Sequence, residues 1–182
     1  MAVLRVRTMP DPVLVRKAVK VGNIDAQMQR LIDDMLETMY AYEGVGLAAN
    51  QVGVLQRIVV IHVPEEEEPR VLINPEIVKE EDEREMEEGC LSLPGWRGTT
   101  LRKFVVRAKA LDRNGKPVKV RGEGLLAQAL QHEIDHTNGI LYTSRLVSKD
   151  QYWKLPPKEQ QAAEDAEKGA DEEQARAEAA AT

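Results

Sequence analysis

Gln131-His132-Glu133-Ile134-Asp135-His136 is the stretch on which the reading of this chain turns. At about 100° per residue along a helix, His136 points roughly 40° away from His132, and Glu133 lies roughly 60° beyond His136. Two imidazoles on one stripe can grip a single ion, with the carboxylate standing beside them. A divalent metal lowers the pKa of bound water towards neutrality, and a nearby carboxylate can accept the proton that this water gives up. The spacing therefore fits metal-assisted hydrolysis. The flanking residues support a helix: Leu126, Leu130 and Ile134 recur every four positions between Gly124 and Asn138, and Gly139 supplies a stop.

Two histidines leave a tetrahedral metal in need of a third protein ligand and an open position. The remaining histidine, His62, sits in the β-branched run at 57–63 and reads as structural. Cys90 is the candidate ligand, in Glu87-Glu88-Gly89-Cys90-Leu91-Ser92-Leu93-Pro94. Coordination stabilises a thiolate, and Gly89 frees the backbone beside it. As the only cysteine, Cys90 excludes an intramolecular disulfide. A third stretch, Gly44-Val45-Gly46-Leu47-Ala48-Ala49-Asn50-Gln51, lacks the Gly-Lys-Ser/Thr ending of a phosphate-binding loop. Its small residues instead allow backbone to approach a substrate, with Gln51 offering an amide donor.

Further out, residues 24–40 place Ile24, Met28, Leu31, Ile32, Met35, Leu36 and Met39 at three- and four-residue intervals, the pattern of an amphipathic helix capped by Asn23 or Asp25. The runs 57–63, 71–73, 104–111 and 118–120 read as strands, and Asp112-Arg113-Asn114-Gly115 as a hairpin turn. The expected fold is α+β, with antiparallel or mixed β-sheets packed around the central helix that carries the two histidines. With aromatics at 4% of 182 residues, the core must be largely aliphatic. One domain is expected over residues 1–154, followed after the Pro156-Pro157 boundary region by an Ala-rich tail, helical or disordered, spanning 155–182. That tail holds eight acidic residues against three basic ones, so it carries −5 of the net charge of −6. Nothing in the charge distribution suggests a nucleic-acid surface. The chain also lacks a membrane-spanning stretch or a signal pattern, and a cytoplasmic location is expected.

Taken in order, Gly44 to Gln51, Glu88-Gly89-Cys90-Leu91-Ser92 and Gln131 to His136 resemble the three signature motifs of peptide deformylases. The likeness extends over roughly residues 1–150 and includes Asp11-Pro12-Val13-Leu14 and Ile73-Asn74-Pro75. It implies a hydrolase that removes the formyl group from the N-terminal methionine of nascent peptides, releasing formate. It also implies a metal held by Cys90, His132 and His136, with Glu133 as general acid and base. The amide of Gln51 and the backbone N–H of Leu91 would be the oxyanion donors. Ferrous iron is the native ion the family suggests, with zinc, nickel or cobalt able to replace it. Leu125, Gln128 and Ala129 precede His132 by seven, four and three positions and share its helix face. With Val45 and Gly46 opposite, they could receive an unbranched methionine side chain. Backbone at Val45, Gly46 and Gly89 could pair with an extended peptide as an added strand, and Arg97 could contact it farther along. This chain departs from many members in having Thr137 after the second histidine, and its acidic tail disfavours docking on ribosomal RNA. Two rival readings are a zinc metallopeptidase and a binding module merely stapled by metal; each needs a further protein ligand.

Overall fold

The computed structural model describes residues 2–156, together with Gly169, Ala175 and Ala179. Most of the acidic tail thus lies outside the described residues. Within residues 2–156, two α-helices, α1 (Ala26–Ala41) and α2 (Leu125–Thr137), accompany six strands: β1 (Gly46–Ala48), β2 (Ile58–Ile61), β3 (Arg70–Gly89), β4 (Trp96–Leu111), β5 (Pro117–Glu123) and β6 (Tyr152–Lys154). The strands form one sheet in the order β1-β2-β3-β4-β5, with β6 also on β4. All five strand pairings are antiparallel, so one antiparallel sheet stands where antiparallel or mixed sheets were expected.

β2 explains why the two helices lie on opposite faces of the sheet. Alternate residues of a strand point to opposite sides. Ile58 and Val60 join the cluster of Met28, Ile32, Met35 and Met39 from α1, whereas Val59 and Ile61 join Ala127, Leu130 and Ile134 from α2. All four β2 residues are fully buried, as a strand covered on both faces requires. Each such aliphatic side chain contributes about 1.5–3 kcal/mol relative to its exposed state. Asp25 caps α1, accepting from the N–H groups of Gln27 and Met28 at 3.0 Å each. α2 ends at Thr137, and Gly139 continues the chain at φ +73°, where a Cβ would lie 2.6 Å from the Val15 carbonyl oxygen.

The long β3–β4 hairpin departs most from the sequence reading. Residues 79–87 of β3 are mostly exposed and dominated by acids, a composition that reads as solvated chain rather than strand. They are held extended because β4 pairs with nearly all of them and supplies opposite charge, Lys103 meeting Glu83 at 2.8 Å. Arg84 also lies over the Phe104 ring at 3.8 Å from its centre. This hairpin carries Gly89 and Cys90 to its far end, facing α2.

Candidate active site

Three potential ligand atoms converge where the hairpin end meets α2. Cys90 Sγ and His132 Nε2 each lie near His136 Nε2, the sulfur at 3.1 Å and the other imidazole nitrogen at 3.1 Å. All three atoms fall within 4.8 Å of one another, so one ion could touch them together. Glu88 accepts from His132 Nδ1, which turns His132 Nε2 towards the cluster. Burial, then the facing His132, holds His136 well below its ordinary pKa and keeps its imidazole neutral. Burial alone would lower His132 too, but Cys90, Glu88 and Glu133 overcome it and raise that imidazole well above the ordinary range. A sulfur with two imidazole nitrogens is a donor set suited to a divalent first-row ion.

Gln51 approaches from the 3-10 turn Ala49–Val52 that follows β1. Its Oε1 accepts from Ala48 N–H at 2.8 Å, which fixes the amide so that Nε2 donates to Ser92 Oγ at 3.2 Å and lies 3.6 Å from Cys90 Sγ. Glu133 is buried beside them, and its Oε2 has no hydrogen-bond partner among the described residues. Burial pushes the Glu133 carboxyl up to about 7, where a carboxyl both accepts and releases a proton near neutral pH. These groups open onto a cleft of about 550 Å³ lined also by Val45, Gly46, Gly89, Leu91, Arg97, Leu125 and Ala129. Every site residue singled out from the sequence therefore lies in this cleft or in the ligand cluster, while His62 stands apart, bonded to Tyr40 Oη at 2.8 Å and to the Glu66 carbonyl at 3.0 Å.

The sequence model of the polypeptide deformylase family matches residues 3–152. This chain belongs to the peptide deformylase family. A curated peptide deformylase of Dehalococcoides mccartyi is 52% identical over 157 residues, which cover 86% of this chain and 94% of that one. The crystal structure of a peptide deformylase from Legionella pneumophila superposes with a TM-score of 0.77 at 44% identity, covering 96% of this chain and 99% of that one. That of the Synechococcus elongatus enzyme in complex with actinonin gives 0.78 at 39% identity, covering 81% and 83%. The chain is accordingly a metal-dependent hydrolase that removes the N-formyl group from nascent peptides.

Behind the deformylase cleft lies a buried charge network that reading the sequence did not find. Arg102, 3% exposed, donates to Glu88 through Nε at 2.9 Å and Nη2 at 2.6 Å, and to Asp135 through Nη1 at 2.6 Å. Thr100 Oγ1 adds a bond to Glu88 at 2.6 Å, and Arg145 reaches Asp135 at 2.9 and 3.1 Å. Although burial pushes the Glu88 carboxyl up, bonds from His132 and Arg102 hold it well below the usual carboxylate range. Glu88 thereby fixes the orientation of His132. Its only hint in sequence was its place two residues before Cys90, at the end of an acidic run that otherwise faces water.

Gly46 packs directly on Glu133: a Cβ at this position would lie 2.5 Å from Oε1 and 2.8 Å from Cγ. A Gly46→Ala variant is expected to lose about 10²-fold in kcat, the scale of a roughly 1 Å displacement within a site. Formate release measured beside thermal melting checks this, because displacement of the carboxylate lowers turnover while leaving the fold intact.

Proposed function

We propose that Cys90, His132 and His136 hold one divalent metal ion, and that Glu133 is the general acid and base of deformylation. When bound, such an ion supplies Lewis acidity towards water and towards the formyl oxygen. Glu133 takes a proton from a water in the cleft, whose oxygen adds to the formyl carbon. The Gln51 amide and the Leu91 backbone N–H donate to the formyl oxygen as it gains negative charge. Glu133 then passes its proton to the departing amine, leaving formate and a free methionine amino terminus. The observation that carries this reading is the convergence of a sulfur and two imidazole nitrogens beside a buried carboxylate with an unpartnered oxygen.

The methionine side chain is assigned to the wall formed by Leu125 and Ala129, opposite Val45 and Gly46, and the peptide backbone to the edges at Val45, Gly46 and Gly89. Leu125, 39% exposed, has apolar surface left to cover, which supports this assignment. Residues 1–154 form the catalytic unit on this reading, and 155–182 an appendage. Among the described residues only three ligands converge, whereas structural zinc sites are closed by four, which favours a working site over a staple.

Chelation is expected to abolish formate release from formyl-Met-Ala-Ser, and reloading with ferrous iron under anaerobic conditions to restore it. With iron as the native ion, exposure to air should inactivate the enzyme while a zinc- or nickel-loaded sample persists. Activity indifferent to chelator would overturn the ligand assignment, and an air-stable preparation filled with zinc would overturn the choice of iron. The substrate places the protein in the cytoplasm, where formylated nascent chains emerge; no helix among the described residues is long and apolar enough to cross a membrane. Contact with the ribosome, if made, would use a surface other than the acidic tail, and direct nucleic-acid binding is not part of this reading.

A further inference from the structure

One wall of the cleft comes from a part of the chain outside the three motifs. β6 runs antiparallel to the first residues of β4, with Trp96 opposite Lys154 and Gly98 opposite Tyr152. The Tyr152 ring stacks on Trp96, centroids 4.7 Å apart and planes 13° from parallel. Gly98 permits this approach, since a Cβ there would lie 2.4 Å from Leu146 Cδ2 and 3.1 Å from the Gln151 carbonyl oxygen. Beyond the strand, Leu155 N–H donates to the Gly95 carbonyl at 2.9 Å, so the chain stays docked for one residue more. Leu155 consequently lines the same cleft as Cys90 and Glu133, in company with Leu93, Pro94 and Trp96. Both Leu155 and Trp96 keep exposed apolar surface, Trp96 at 36%.

We propose that Leu155 and Trp96 form a subsite for an apolar side chain at the third residue of the formylated peptide. The inference rests on the placement of methionine beside Leu125 and Ala129. Successive side chains of an extended peptide point to opposite faces, and two residues advance the chain by roughly 7 Å. The third side chain therefore turns back towards the side that receives methionine, farther along the cleft, while the second faces away. An apolar group covering Leu155 and Trp96 gains from removing their surface from water, and a small hydroxyl group gains little. Selectivity at this position would thus depend on the segment after α2, which the catalytic motifs do not contain.

The test compares formyl-Met-Ala-Leu amide with formyl-Met-Ala-Ser amide by steady-state formate release. The unmodified enzyme should show a KM about five-fold lower for the leucine peptide with similar kcat, as expected for partial burial of two apolar surfaces. In Leu155→Ala the ratio of the two KM values should shrink to less than about two-fold, and in Leu155→Met it should be retained, since methionine fills similar apolar volume. Each ratio is taken within one protein preparation, so a loss of folded material cancels. A wild-type enzyme indifferent to the third residue, or a Leu155→Ala variant that keeps the full ratio, overturns the subsite while leaving deformylation standing. No formate from either peptide would overturn the substrate assignment and this subsite together.

Discussion

Replacing Glu133 with glutamine is expected to lower kcat for formyl-Met-Ala-Ser by about 10³-fold, within the range for loss of a general acid–base. Glutamine keeps the volume and one carbonyl oxygen of the side chain but cannot accept the proton from water or return one to the amine. Both transfers assigned to Glu133 are lost together, so the effect should fall on kcat with little change in KM. The site around it should survive, because Glu133 Oε2 has no hydrogen-bond partner among the described residues and its carboxyl is already pushed up to about 7 by burial. A neutral amide therefore removes a costly buried charge without breaking a described bond at that oxygen. Metal content by elemental analysis and the melting temperature should stay near the unmodified values. A glutamine variant within about tenfold of full kcat would mean that another group carries the proton.

Arg102→Met should be the most damaging substitution for stability, at about 3–5 kcal/mol, the usual cost of removing one partner from a buried ion pair. Arg102 neutralises two buried carboxylates, Glu88 and Asp135, through three bonds of 2.6–2.9 Å. Methionine replaces the aliphatic stem of the side chain and supplies none of those donors. For a chain of this size, with about 2–4 °C per kcal/mol, the melting temperature should fall by roughly 10 °C. A second consequence separates this network from ordinary core packing. Glu88, released from Arg102, no longer holds His132 in place, and metal affinity should drop by about 10- to 100-fold. Arg145→Met is the control: its side chain is 45% exposed and touches only Asp135 in the network, so less than about 1 kcal/mol is expected. Equal melting temperatures for the Arg102 and Arg145 variants would contradict the role given to the buried guanidinium.

The residues that could be read from the sequence share a physical property: their signal is local. His132, Glu133 and His136 lie within five positions on one helix, and the spacing of a helix fixes their mutual angles without help from the rest of the chain. The stripe of Met28, Ile32, Met35 and Met39 is equally local, as is the turn at Asp112, whose Oδ1 accepts from the N–H groups of Asn114 and Lys116 at 2.8 and 2.9 Å while Gly115 takes φ +79°. The acidic part of β3 could not be read this way. Glu80 to Glu88 has neither alternation nor β-branched residues, and it is a strand because a partner far along the chain pairs with it. Arg102 and Glu88 misled for a related reason, since charged side chains are expected in water unless paired, and their partners lie 12 to 44 positions away.

By itself the sequence determined the chemistry on offer: two imidazoles and a carboxylate on one helical stripe, a single thiol, and small residues before Gln51, in an order that resembles one family of hydrolases. Tertiary structure alone decided that the thiol meets the imidazoles, that Glu88 and Arg102 lock one of them, and that Leu155 lines the cleft. The division follows from where the information lies. Helix periodicity is set by neighbouring residues, whereas the burial of a charge or the docking of a short strand is set by groups that meet only after the sheet has formed.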